Sequence, residues 1–321
     1  MLKLISVVAL VVVVGHFGAE ACIRKKPKPA EVLSSGTTAA VERAIGSFEE
    51  VESRPGTYVD LVIVKGDDKP LKLEVDTAWA EYYTTEVVNK RLVIGVSDNV
   101  QLVCQDGHDC KTRRVTVTTP TLTTIKCEVC NVKTDPEGAL FETDTFTLDI
   151  NAANSVDVGV KAGTVDALFV GVSKAELRGE SETTILQVDS SKVSTLKLKT
   201  TSKLDVTVDK GICTTEANVQ GGTVVARMSA QLAELVLKGN ADSLRFETTS
   251  NGVNELKAYE GFVAKKVEVH MANKIASRVR VSESISGTIT GAGDLRYYGS
   301  VPDSAVSVES ADGAGQAQRA D

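Results

Sequence analysis

Residues 204–246 read LDVTVDKGICTTEANVQGGTVVARMSAQLAELVLKGNADSLRF. Leu204, Val206 and Val208 alternate with Asp205, Thr207 and Asp209. That period of two puts one set of side chains on each face of a strand. Leu235 and Leu237 do the same, as do Leu244 and Phe246. Outward from this stretch, one apolar position per unit gives Leu168, Val188, Val208, Met228, Phe246, Val267 and Ile289, in steps of 20, 20, 20, 18, 21 and 22. A second series runs Leu177, Leu198, Val219, Leu237, Leu256 and Val279, in steps of 21, 21, 18, 19 and 23.

A period of about 20 in a strand-rich chain has few physical solutions. A leucine-rich repeat would show an Asn ladder and a helical half, and neither is present. A coil of short strands wound around one core and stacked on the next coil satisfies both the alternation and the spacing. A β-sandwich shares the alternation without the spacing. The prediction is an all-β chain, a single-stranded parallel β-helix, with inward Val, Leu and Ile and outward Lys, Glu, Asp and Thr.

The remainder of the 321 residues divides around that body. Residues 1–21 read as a signal peptide, with Lys3, the apolar run Leu4–Val14 and the small-x-small pattern Ala19-Glu20-Ala21. The alternative is an uncleaved anchor. Cleavage leaves Cys22 first, either as a lipidated thiol behind a poor lipobox or as an ordinary exported cysteine. Residues 22–36 are basic and Pro-containing, and are expected to form a flexible tether. Residues 37–130 are expected to cap the solenoid. Within them Val59, Leu61, Ile63 and Leu71, Leu73, Val75 flank a Lys65-Gly66-Asp67-Asp68 turn signal, as in a hairpin. Residues 76–89 are expected to form a short helix with Asp76 as N-cap. The coils occupy 131–302, and 303–321 is expected to be a disordered tail.

Formal charge is −7 and aromatic content 4%. Nucleic acid calls for a basic stripe, and base stacking calls for aromatic faces. Neither is met overall, so no nucleic-acid partner is expected. Cys104, Cys110, Cys127 and Cys130 cluster, and four cysteines allow three pairings. In an exported chain they are disulfide candidates. A zinc site with His108 and free thiols are the alternatives, although C-x5-C and C-x2-C is not a familiar zinc spacing. Cys213 is left to pair with Cys22, to stay buried or to link two chains.

Only His108 and His270 could serve as the base of a hydrolase after export, and no G-x-S-x-G, Walker loop or H-E-x-x-H is present. Asp205, Asp209, Lys197, Lys199 and Lys203 are the outward candidates for a sugar-cleaving enzyme, and Asp144, Asp149 and Asp157 for calcium. A solvated outer face accounts for both sets, so neither a catalytic residue nor a cofactor is assigned.

At Gly291, Gly293, Asp294, Leu295, Tyr297 and Gly299 the chain resembles the head GIN domain family of autotransporter adhesins, through its G-x-G-D-[IL]-x-Y-x-G signature. Ile45-Gly46-Ser47-Phe48, Val59–Ile63, Leu92–Ile94 and the set Val115, Val117, Pro120 and Leu122 resemble that family as well. The resemblance spans about 44–302 and implies a right-handed parallel β-helix. Pro302 falls one residue late, and the cysteine segments do not belong to the pattern. Three function classes follow: an exported surface adhesion or recognition module with a protein or polysaccharide ligand, an envelope-associated spacer, and a carbohydrate-active enzyme. The first is the reading adopted from sequence.

Overall fold

The structure, a computed structural model, describes residues 28–108, 110, 112–135, 139–249, 252–272, 274, 276–290, 292–311 and 315–320. The expected signal peptide, Cys22 and Gly291 lie outside them. Nine strands precede the long coils: β1 (Ala30–Leu33), β2 (Thr38–Arg43), β3 (Glu50–Ser53), β4 (Asp60–Lys65), β5 (Leu71–Asp76), β6 (Tyr83–Val88), β7 (Arg91–Val96), β8 (Val100–Val103) and β9 (Arg114–Thr119). Then come β10 (Thr124–Glu128), β11 (Asn131–Thr134), β12 (Phe141–Asn151), β13 (Val156–Val170), β14 (Ala175–Asp189), β15 (Val193–Val208), β16 (Ile212–Gln220) and β17 (Thr223–Met228). The chain closes with β18 (Leu232–Thr248), β19 (Val253–Ala258), β20 (Phe262–Met271), β21 (Ser277–Ile289), β22 (Leu295–Tyr298), β23 (Val306–Ser310) and β24 (Ala317–Arg319). The fold is a parallel β-solenoid of about nine turns.

Each coil feeds two ladders. On the first, in-register inward residues run Leu92, Val51, Ile125, Leu148, Ala167, Leu186, Val206, Ala226, Phe246 and Val269. On the second they run Leu61, Val132, Val156 and Ala175, and further along Leu235 stacks on Leu256. Nearly all of these side chains are inaccessible to solvent. Each fully buried Val, Leu, Ile or Phe contributes about 1.5–3 kcal/mol.

The period holds, but the partners implied by the two series are partly displaced. Val188, Val208 and Met228 do stack in sequence. Leu168 faces outward, and Phe169 is the partner of Val188. Phe246 pairs with Val269 instead of Val267. Inward positions recur every two residues, so a spacing cannot tell one inward residue from the next. The small Ala167 hides the phase of its strand.

At the N-terminal end antiparallel strands close both ladders. On the first, β6 runs antiparallel to β7, which stacks on β3. On the second, β2 and β5 run antiparallel beyond β9, which stacks on β4. The expected hairpin of β4 and β5 is therefore not formed, because Val115 of β9 lies between Leu61 and Leu73. The expected helix over 76–89 is absent as well. Residues 77–82 are turns, and β6 follows with its β-branched Thr84, Thr85, Val87 and Val88. The hairpin that does form joins β6 to β7 through Asn89 and Lys90, at φ 52° and 63° in the left-handed region. Such a pair makes the primed turn that suits strand twist. Trp79 fills the cap with no exposed surface. Its Nε1 donates to the Val32 carbonyl at 3.1 Å, and the Arg113 guanidinium lies 4.5 Å from its ring centroid.

Two segments expected to lack structure are ordered by pairing. Residues 30–33, placed in the tether, form β1 alongside β8. Residues 306–310 and 317–319, placed in the tail, stack as β23 and β24 on β21 and β22. A solenoid edge offers unpaired backbone groups, and these segments take them up. The boundary expected at 130/131 falls inside a coil, since β10 and β11 already stack on β3 and β4.

Candidate ligand-binding face

The outward side chains of the second ladder form a charge pattern set by the coil repeat. Cations meet acids of the preceding coil: Arg178 with Asp157 at 2.7 Å, Lys197 with Glu176 at 2.8 Å, Lys238 with Glu216 at 2.6 Å and Lys257 with Glu234 at 3.1 Å. The hydrogen bond that Lys257 donates to Glu234 is the largest influence holding its amine above the ordinary pKa.

Beyond Lys257 the pattern stops. Register places Arg278 beside Lys257, and Arg296 beside Arg278, as it places Lys197 beside Arg178, but here neither arginine has an ion-pair partner among the described residues. Like charges directly opposite one another on a sheet are destabilising. In the neighbouring column Arg280 pairs with Tyr298, and extending the Ala258–Val279 register by one residue puts Tyr259 on its other side. The Tyr259 and Tyr298 rings stack with centroids 5.1 Å apart and planes 18° apart. Arg278 donates from Nη1 to the Tyr259 hydroxyl at 3.0 Å, and its guanidinium lies 5.4 Å from that ring centroid. The bond to Tyr259 leads the influences that hold the Arg278 pKa above its ordinary value, with Glu255 among the lesser ones. Arg280 and Arg296 are exposed and make no ion pair among the described residues. The result is a patch of four cations and two stacked tyrosines over three coils of an acidic chain.

The outer face of the first ladder is self-neutralised. Arg227 bonds Asp205 at 2.8 Å and reaches Glu247 at 3.5 Å. Arg245 bonds Glu247 at 2.5 Å and reaches Glu268 at 3.6 Å. His270 closes the row, with Nε2 3.0 Å from Glu268 and Nδ1 3.1 Å from the Thr288 hydroxyl.

The other residues singled out in the sequence are dispersed. Lys197 is tied to Glu176, Lys203 lies 3.6 Å from Asp205, and Asp209 accepts from the Ser229 hydroxyl at 3.0 Å. Asp157 is taken by Arg178, and no metal-holding group of three or more His, Cys, Asp or Glu occurs among the described residues. His108 does meet a serine, with Nδ1 2.9 Å from Ser34 Oγ. Ser34 is 4% exposed, however, and its hydroxyl also accepts from the Gln105 N–H at 2.9 Å. That geometry staples a loop. Cys104 stands 5.9 Å from Cys110 and Cys127 5.9 Å from Cys130, Cα to Cα, both at disulfide distance. Cys127 and Cys130 are buried at the corner joining β10 to β11. The family-motif residues Gly293, Asp294, Tyr297 and Gly299 make a coil corner and the buried start of β22. They do not end the solenoid, because β24 pairs beyond Tyr297. A surface depression of about 860 Å³ lies near the cap, lined by Asp60, Val62, Lys72, Glu74, Arg114 and Lys133 among others, of mixed charge.

The cationic patch was missed in the sequence because its members are far apart in the chain. The signal was present as the outward pairs Lys257/Tyr259, Arg278/Arg280 and Arg296/Tyr298, at steps of 21 and 18 residues.

Among solved structures, a putative adhesin from Parabacteroides distasonis superposes with a TM-score of 0.50 at 16% identity, over 90% of this chain and 100% of that one. A putative adhesin from Parabacteroides merdae gives 0.45 at 14% identity, over 91% and 100%. A putative lipid binding protein from Parabacteroides distasonis gives 0.39 at 15% identity, over 90% and 99%. Comparison with curated proteins finds no match. The family model described as "Putative auto-transporter adhesin, head GIN domain" matches residues 47–221, and the chain belongs to that family.

Proposed function

We propose that this protein is an exported, non-enzymatic adhesion or recognition module that holds a surface partner on the outer face of its solenoid. The observation that carries this reading is the set of Arg278, Arg280 and Arg296, which make no ion pair among the described residues, gathered beside Lys257 around stacked tyrosines. The adhesin description of the family supports it. Export is supported by the Lys3, Leu4–Val14 and Ala19-Glu20-Ala21 pattern, and by cysteine pairs at disulfide distance. Among the described residues no helix is long and apolar enough to cross a membrane. The envelope-spacer reading draws on the first ladder, whose ion pairs bond within the protein.

The test is purified 22–321 offered to a panel of acidic and neutral polysaccharides and immobilised surface proteins, with calcium and with chelator. Retention and unsaturated-uronate absorbance are both recorded. Retention without product is expected. Product formation would overturn the non-enzymatic reading, and no retention on any member would leave the spacer in its place.

A further inference from the structure

We infer that the Lys257–Arg278–Arg296 column, with Arg280 between Tyr259 and Tyr298, is a binding site for an acidic polysaccharide carrying carboxylate or sulfate groups. This inference rests on the recognition reading above and names its ligand class. The argument starts from what the preceding coils do. Four cations of this face, Arg178, Lys197, Lys238 and Lys257, each find an acid one coil earlier, even where two of them, Arg178 and Lys197, stand opposite one another. At the next two coils the opposing residue is another cation. Three like charges on adjacent strands lie about 4.8 Å apart. Glu234 and Glu255 offset Lys257, but Arg278 and Arg296 have no acid in ion-pair contact among the described residues, and a polyanion laid along the solenoid axis relieves their repulsion.

The chemistry of the side chains narrows the partner. Guanidinium groups present a planar fork that pairs with carboxylate and sulfate oxygens through two parallel hydrogen bonds. Arg280 and Arg296 are exposed and free of ion pairs among the described residues, so their forks are open to a ligand. Arg278 is held in place by the Tyr259 hydroxyl, which fixes the centre of the column. The stacked Tyr259 and Tyr298 give a flat wall beside it. Nearby acids do not cancel the patch, because Glu234 and Glu255 both bond Lys257, leaving the exposed Glu260 at its rim. A linear polymer with closely spaced anions matches a column of cations. A bilayer does not, since among the described residues no large apolar side chain stands exposed beside the patch. The formal charge of −7 opposes the approach of a duplex nucleic acid to the chain as a whole.

The experiment uses full-length mature chain on dextran sulfate, polygalacturonate, neutral dextran and duplex DNA, at two salt concentrations. Arg280→Glu with Arg296→Glu is compared with Lys174→Glu with Lys192→Glu, which changes net charge equally at exposed positions outside the patch. Wild type is expected to bind dextran sulfate or polygalacturonate, to lose affinity with salt, and to leave dextran unbound. The patch variant is expected to lose about tenfold or more per arginine, and the control about twofold or less. Circular dichroism melts confirm that both variants fold. Equal losses in the two variants, an unchanged patch variant, or tighter binding to DNA than to either glycan would overturn the inference. If no polyanion binds while a member of the protein panel is retained, the patch assignment fails and the recognition reading survives. If nothing in either panel is retained, both fail.

Discussion

Replacing Gly239 with alanine tests the closeness of coil to coil directly. Gly239 sits in β18 between Val219 of one coil and Phe262 of the next, at φ +98°. An added Cβ would overlap the Val219 carbonyl oxygen and come within 3.0 Å of its carbon. Restoring an ordinary contact requires the backbone to retreat by roughly 1 Å. That movement stretches the ladder hydrogen bonds that tie this part of β18 to the Val219 coil, and presses it toward the next coil, where the Gly239 N–H already bonds the Gly261 carbonyl at 2.6 Å. Left-handed backbone costs alanine about 1–2 kcal/mol, and two weakened hydrogen bonds add about 2 kcal/mol, for a total of about 3–4 kcal/mol. Gly261→Ala separates the two contributions. Gly261 has φ +73° and nothing within 4 Å of its added Cβ, so only the conformational cost of about 1–2 kcal/mol remains. Gly46→Ala meets open space without a left-handed φ, and is expected to be neutral or stabilising by about 0.4–1 kcal/mol. Urea midpoints followed by far-UV circular dichroism, compared at unchanged m, rank the three. A solenoid can lose cooperativity along its length, so a changed m is read separately. If Gly239→Ala costs no more than Gly261→Ala, the close approach of adjacent coils is wrong.

Asp76 accepts N–H groups from Ser35, Gly36 and Ala78 and the Ser35 hydroxyl, all within 3.0 Å. Burial alone would raise its pKa, but these bonds outweigh burial and hold it below the ordinary value. A depressed pKa gives stability that is present above about pH 4 and lost as pH falls through the folded value. Asp76→Asn is expected to cost about 1.5–3 kcal/mol at pH 7 and to flatten the acid limb of Tm between pH 5 and 3, both as order-of-magnitude ranges about that titration. Trp79, the one tryptophan, should emit at short wavelength and resist iodide quenching, and a red-shifted, readily quenched native spectrum would refute the cap packing. Non-reducing peptide maps are expected to link Cys104 to Cys110 and Cys127 to Cys130, and any crossed pairing would contradict the placement of both loops. Arg296→Glu restores an acid opposite Arg278 and should raise stability by about 0.2–1 kcal/mol in a denaturant titration, while a loss would show that the column is not strained by like charge.

The solenoid was legible because its two periods are written in side-chain type. Leu204, Val206 and Val208 announce the strand, and the recurrence at Val188, Val208 and Met228 announces the coil. The cap was less legible because its signals compete. Asp76 has the composition of an N-cap but is occupied by the N–H groups of a segment about 40 residues earlier. Residues 77–82 close turns around a buried Trp79, a tertiary demand that overrides local helix preference. The ends were hidden for another reason. Val306, Val308 and Ala317 carry a weak pattern that gains meaning only from the edge they cover. The cationic patch needed register, because Lys257, Arg278 and Arg296 become neighbours only when the coils are stacked.

The two outer faces of the same repeat solve the charge problem differently, and the contrast bears on function. On the first ladder, Asp205, Arg227, Glu247, Arg245 and Glu268 alternate in sign from coil to coil. Each exposed pair adds at most about 1 kcal/mol, and the row leaves no unpaired cation for a partner. The second ladder follows the same rule through Lys257 and then breaks it. An acid at 278 or 296 would extend the pattern at no steric cost on an outward position. Arg278 gains the Tyr259 hydroxyl and ring, but folding gains no ion pair from arginine at 296, where the repulsion in register is a small loss. Residues that break a local rule without a compensating contact mark functional sites. A spacer needs only the first kind of face, whereas a recognition module needs at least one of the second. The unmatched arginines thus weigh for recognition over spacing from stability considerations alone, independently of what any related protein does.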